Sequence, residues 1–255
     1  MTIPAPAAAT RPADAIRPLL VRRAAVLGAG TMGSRIAAHL ANAGIPVLLL
    51  DLPPQSGSAE PASALAQKAL AALAKATPAA FYDPASAAPI TPGSFDGDLP
   101  ALAGCDWVVE AVAEELEVKL ALLDRVLPHL AAHAILTTNT SGLPIARLAA
   151  GLGAVRERFF GTHFFYPPRQ MRLVEIVPTA ETDPALAARF AAFADLRLGK
   201  TAVFAADSPN FIANRIGMAL LFEAAALLKR EGKKYALATQ CIGGGQGIAT
   251  ILESV

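Results

Sequence analysis

Gly28-Ala29-Gly30-Thr31-Met32-Gly33 stands between a short apolar run, Ala24–Leu27, and a stretch of helical periodicity, Met32–Ala43, that Gly44 stops. Glycines at this spacing suit one junction above others, a buried strand turning directly into a helix. Gly28 permits the tight turn, Gly30 lets a pyrophosphate approach the backbone, and Gly33 lets the helix pack close to the strand. The helix N-terminus supplies N–H donors and the positive end of its dipole for the phosphates. Thr31 and Met32 sit on the same loop. A second apolar run, Val47–Leu50, ends at Asp51, 18 residues beyond Gly33. A carboxylate there accepts hydrogen bonds from ribose hydroxyls and repels a 2′-phosphate, which favours NAD over NADP. A plain glycine-capped βαβ turn remains the alternative reading of the loop alone.

The rest of the chain repeats the alternation. Strands are expected at Trp107–Val112, Ile135–Thr138, Phe159–His163 and Leu173–Val177, and helices at Ala64–Ala76, Leu116–Leu130, Pro184–Leu196 and Phe211–Arg230. The proline-rich segment 77–100 reads as a loop with one turn of helix. Apolar strands that do not alternate with polar residues, separated by helices, imply a mainly parallel sheet covered on both faces. The fold class is α/β, a Rossmann-type doubly wound sheet.

Polar residues fall where these strands end, the place at which open parallel sheets bind ligands. Glu114 follows Trp107–Val112, Asn139-Thr140-Ser141 follows Ile135–Thr138, and His163 ends its own strand. Glu175 lies inside the apolar run Leu173–Val177, where a carboxylate is costly unless paired. His163 on a neighbouring strand is its natural partner, although a lone histidine at a strand end is more often structural. A carboxylate-oriented imidazole beside a nicotinamide is a general base for oxidising an alcohol. Ser141 and Asn214 are candidates to hold the same oxygen, against the plainer readings of a turn hydroxyl and a helix-face residue.

Composition excludes other classes. Of 255 residues 54% are hydrophobic and 17% charged, which rules out a disordered chain. A formal net charge of +1 gives no reason to expect nucleic acid or an anionic membrane. No apolar run reaches the ~18 residues of a membrane span. Cys105 and Cys241 cannot make a disulfide framework or a four-ligand metal site. Prolines and charges interrupt residues 1–21, so they read as a flexible leader, not a secretory signal, and the expected location is cytoplasmic.

Taken in order, Gly28–Gly33 with Asp51, Val112-Ala113-Glu114 with Lys119, Asn139-Thr140-Ser141, Gly161-Thr162-His163-Phe164-Phe165 and Asn210–Arg215 resemble the L-3-hydroxyacyl-CoA dehydrogenases. The likeness is strongest to the dehydrogenase part of bacterial fatty-acid oxidation proteins. It implies oxidation of a (3S)-hydroxyacyl-CoA to a 3-oxoacyl-CoA with NAD in β-oxidation. In that reading His163 is the base, Glu175 its orienting partner, and Ser141 and Asn214 hold the reacting oxygen. Met32, Asp51, Glu114, Lys119 and Ser141 contact NAD. Tyr166 stands where the family usually has an asparagine.

The implied organisation is an NAD-binding domain over 22–206, the first helix of a truncated helical domain over 207–232, and a 233–255 segment resembling the C-terminal end of a thiolase. In that segment Cys241 matches the acid/base cysteine, and the chain reads as a junction of two neighbouring coding regions. The apolar face of the 211–230 helix (Phe211, Ile212, Ile216, Leu220, Leu227) is expected to be exposed, driving homodimerisation or non-specific association. Alternatives are a dehydrogenase for another 3-hydroxy acid, an NAD binder without turnover, and thiolase activity resting on Cys241.

Overall fold

The computed structural model describes residues 17–55, 57–243 and 246–254, with residues 240–243 and 246–248 described as backbone alone. Eight strands form one sheet: β1 Ala24–Leu27, β2 Val47–Asp51, β3 Ile90–Ser94, β4 Trp107–Glu110, β5 Ile135–Thr138, β6 Phe159–Phe164, β7 Leu173–Pro178 and β8 Thr201–Phe204. Their order is β3-β2-β1-β4-β5-β6-β7-β8. The first six run parallel; β7 turns back antiparallel to β6, with β8 parallel to β7. The helices are α1 Thr31–Asn42, α2 Ala64–Leu73, α3 Leu116–Val126, α4 Ile145–Ala149, α5 Pro184–Leu198 and α6 Ala213–Arg230. A hairpin of β9 Tyr235–Gly243 and β10 Gln246–Glu253 follows.

The apolar strands are buried on both faces, and alternate residues of one strand serve two separate cores. Ala24 and Val26 pack with Ile36 and Leu40 of α1 and Phe190 and Phe193 of α5. Ala25 and Leu27 pack on the other side with Leu122, Leu123 and Val126 of α3 and Leu148 of α4. That double burial is why these strands show no period-two polarity. The strand order reverses between β1 and β4, and in such a sheet the crevice at their carboxyl ends is where a ligand fits.

Several expectations need correction. Residues 77–100 are not all loop: Ile90–Ser94 pairs with β2 as the edge strand. An edge position tolerates Pro92, which has no N–H to give to a further neighbour. The α4 helix, the β8 strand and the β9–β10 hairpin were not expected. Val112 lies beyond β4, which ends at Glu110. The last helix starts at Ala213 instead of Phe211, because Asn210 and Phe211 both take the left-handed region, with φ of 63° and 47°. That turn buries Phe211 in the second core, off the exposed face where it was expected. Ile212, Ile216, Leu220 and Leu227 are exposed. The Cys241 side chain lies outside the described residues, and the leader falls mostly outside them.

Candidate active site

At the end of β1 the chain turns at Gly28, whose φ is +102° and whose added Cβ would lie 2.7 Å from the Ala111 carbonyl oxygen. An added Cβ on Gly33 would overlap the Gly28 carbonyl. Both glycines are demanded by the fold itself. Gly30 differs: an added Cβ there would meet nothing within 4 Å. It opens onto two cavities of about 500 Å³ each. Asp51, Leu52, Val118 and Arg125 line one. Thr31, Met32, Glu114, Lys119, Asn139, Ser141, His163 and Asn214 line the other. The two share Gly30 and Ala111–Ala113, which makes a continuous groove across the ends of β1 and β4. A backbone left bare at Gly30, beside the α1 N-terminus, suits a diphosphate bridging two halves of a dinucleotide.

Asp51 ties the second strand to the glycine loop. Its Oδ2 accepts from the Ala29 N–H at 2.5 Å and its Oδ1 from the Leu52 N–H at 2.6 Å. It lines the half of the groove that Leu52, Val118 and Arg125 also line.

Across the groove, Glu110 at the end of β4 is fully buried, and sequence reasoning missed it. Its Oε1 accepts from Lys119 Nζ at 2.7 Å and its Oε2 from the Thr138 hydroxyl at 2.6 Å. Lys119 is buried too and reaches Glu114 at 3.3 Å. Its ammonium is therefore engaged by two carboxylates as well as facing the cavity. The argument that singled out Glu175, a carboxylate in an apolar strand, applies equally to Glu110 and would have found it.

Glu114 gathers the loop after β5. Its Oε1 accepts from the Thr140 hydroxyl at 2.6 Å, the Ser141 N–H at 2.6 Å and the Ser141 hydroxyl at 3.1 Å. Burial acts to raise this carboxyl, but these bonds and Lys119 outweigh it and hold it below the usual carboxylate range. The Ser141 hydroxyl is turned toward Glu114, and Asn214 Nδ2 approaches the Ser141 carbonyl at 3.5 Å.

His163 and Glu175 face each other across the β6–β7 register. Nδ1 lies 2.7 Å from Oε2. The other oxygen, Oε1, accepts from the Ile212 and Ala213 N–H groups at 3.0 and 2.8 Å, at the start of α6. Burial works to raise the Glu175 carboxyl, but the His163 bond and the two backbone donors prevail, and its pKa lies below the usual range. An ionised Glu175 accepts only, so Nδ1 carries a proton, and in the neutral ring this tautomer leaves Nε2 as the acceptor. Phe165 and Phe211 flank the imidazole at 4.4 and 5.7 Å between ring centres. Asn139 Oδ1 accepts from the Phe164 N–H at 2.9 Å, binding the β5 and β6 ends together.

The structure thus gathers all the expected residues around one groove. Gly28, Gly30 and Asp51 line one half, and Thr31, Met32, Glu114, Lys119, Ser141, His163 and Asn214 the other. Gly33 lies beneath, holding α1 against β1, and Glu175 lies behind His163. Tyr166 also lines the groove, with the Arg35 guanidinium 4.9 Å from its ring centre.

Residues 23–208 match the model of the 3-hydroxyacyl-CoA dehydrogenase NAD binding domain. The chain is 44% identical over 210 residues to a probable 3-hydroxyacyl-CoA dehydrogenase of Bacillus subtilis, covering 77% of this chain and 27% of the relative. It is 42% identical over 233 residues to one of Deinococcus radiodurans, covering 90% and 66%. A solved structure of 3-hydroxybutyryl-CoA dehydrogenase from Escherichia coli K12 is similar, with a TM-score of 0.72 and 32% identity, over 85% of this chain and 44% of that one. The chain therefore spans between about a quarter and two thirds of the length of these curated relatives. The cofactor of the matched domain is NAD, in agreement with the glycine loop and Asp51. By this match the chain belongs to the 3-hydroxyacyl-CoA dehydrogenase family.

Proposed function

We propose that the chain oxidises a (3S)-3-hydroxyacyl-CoA to the 3-oxoacyl-CoA with NAD, as a step of fatty-acid β-oxidation. The observation that carries this is the 2.7 Å His163–Glu175 pair opening onto the cavity that also contains Gly30. The stereochemistry and the pathway rest on the order of motifs alone. The assignments of 22–206 to cofactor binding, 207–232 to the first helix of a helical domain and 233–255 to a thiolase-like segment are part of the same proposal.

Bound in the groove, NAD supplies the acceptor for the hydride of the carbinol carbon. Gly30 and the α1 N-terminus would hold its diphosphate, Asp51 its adenosine ribose, and Met32, Glu114, Lys119 and Ser141 the nicotinamide half. His163 Nε2 takes the hydroxyl proton as the carbon–oxygen double bond forms. Glu175 stabilises the resulting imidazolium through Nδ1. Ser141 and Asn214 are placed to hold the reacting oxygen once the serine hydroxyl turns from Glu114.

Acetoacetyl-CoA should support NADH oxidation by the purified chain, and His163→Ala should abolish it while leaving NADH binding intact. Turnover retained in His163→Ala would remove the histidine from the chemistry. NADH binding without turnover in the unaltered chain would make it a binder and overturn the proposal.

A further inference from the structure

A third cavity, of about 520 Å³, lies between β7, α6 and the β9–β10 hairpin. Phe165 and Leu173 form its floor, Asn214 and Gly217 its helix side, and Ala238 and Thr250 its outer wall. Phe165 and Asn214 also line the cavity that contains His163, so the two spaces adjoin at the proposed base. Ala238 and Thr250 are directly opposed across the hairpin. Their neighbours Leu237 and Ile251 point to solvent, so the two-residue alternation turns these small side chains inward, against β7 and α6. Their small size leaves the space open. No charged side chain lines it among the described residues, and its amides lie on the α6 side, with Asn214 shared with the catalytic groove.

We propose that this cavity takes the hydrocarbon chain of the substrate and that Ala238 and Thr250 set the length it accepts. The inference rests on the reading above. A 3-hydroxyacyl thioester held with its carbinol at His163 extends in two directions, a polar thioester and an apolar chain. An uncharged, largely apolar space that adjoins the base matches only the second. Burying a methylene favours binding by about fourfold, so the geometry selects chains longer than four carbons.

The test compares kcat/KM for 3-hydroxydecanoyl-CoA and 3-hydroxybutyryl-CoA on one preparation, because their ratio does not depend on the fraction folded. The ten-carbon substrate should be favoured at least tenfold. Ala238→Phe should lower that ratio at least tenfold, and Leu221→Ala, which widens the facing wall, should raise it. The same order should appear without turnover, as tighter binding of decanoyl-CoA than butyryl-CoA by calorimetry. A ratio near one, or a ratio that neither variant moves, overturns the inference even if the enzyme turns over. Equal binding of the two acyl-CoAs by an inactive chain overturns it too. Selective decanoyl-CoA binding that Ala238→Phe removes, in a chain without turnover, supports it and refutes the activity instead.

Discussion

Glu175→Gln isolates the orienting role of the carboxylate because it removes charge and changes almost nothing in shape. The wild-type side chain serves three donors: His163 Nδ1 through Oε2, and the Ile212 and Ala213 N–H groups through Oε1. A glutamine has one acceptor oxygen. With that oxygen on His163, its NH2 faces two backbone donors and leaves both unsatisfied, at about 1–3 kcal/mol each. With the oxygen on the backbone pair, only the histidine must adapt, so this orientation wins by several kcal/mol. The glutamine NH2 then donates to Nδ1 and the ring proton moves to Nε2. The nitrogen facing the groove can no longer accept. An analogous tautomer error in a serine protease costs about 10⁴ in kcat, so a loss of about 10³–10⁴, or 4–5.5 kcal/mol of barrier, is expected here. Stability should fall by only about 1–2 kcal/mol as charge-assisted bonds become neutral ones.

Steady-state NADH oxidation measures the first quantity and thermal melting the second. The folded-state pKa of Glu175 is depressed, so its stabilising contribution is present above about pH 4.5. It is lost as the pH falls below that value through the folded pKa. The variant should lack this part of the acid limb. A well-folded Glu175→Gln protein with kcat within tenfold of wild type would refute the reasoning. Glu175→Ala, which strands all three donors, should instead lose about 3–6 kcal/mol of stability, measurable by urea denaturation.

Gly30→Ala and Gly33→Ala should behave oppositely. The first meets nothing within 4 Å and should melt like wild type while binding NADH at least tenfold more weakly; the second forces α1 from the Gly28 carbonyl and should unfold several degrees lower. Asp51→Ala should narrow the preference for NADH over NADPH, read as the ratio of dissociation constants, and an unchanged ratio would remove Asp51 from ribose recognition. His39, buried on α1 with both ring nitrogens unpartnered among the described residues, has its pKa pushed down to about 3 by burial and then by Lys200. The unfolded chain takes up the proton first, so stability should fall as pH drops from 6.5 toward 3, by about 4 kcal/mol at most. Chemical denaturation of His39→Leu should lack that slope.

Local physics made much of this legible. Ala24–Leu27 and Ile135–Thr138 are strands with the expected ends because runs buried on both faces need apolar residues throughout. The edge strand Ile90–Ser94 was hidden by Pro92 and Gly93, residues that a central strand rejects and an edge accepts. Thr201–Phe204 was hidden because it is short and only partly buried at the opposite edge. Glu175 announced itself as a carboxylate in an apolar run. Its second task, receiving the α6 N-terminus, did not, because Ile212 and Ala213 lie 37 and 38 residues away.

The sequence by itself determined the βαβ glycine junction, the acid at the end of β2 and the residue types gathered at the strand ends. Those depend on steric and polar requirements that act within a few residues. Only the tertiary structure decided that Glu110, tied to Thr138, holds Lys119, that Phe211 turns inward, and that Ala238 and Thr250 stand across a cavity from α6. Each of those pairings depends on which strands become neighbours and how helices settle over them, a matter of packing the whole chain at once.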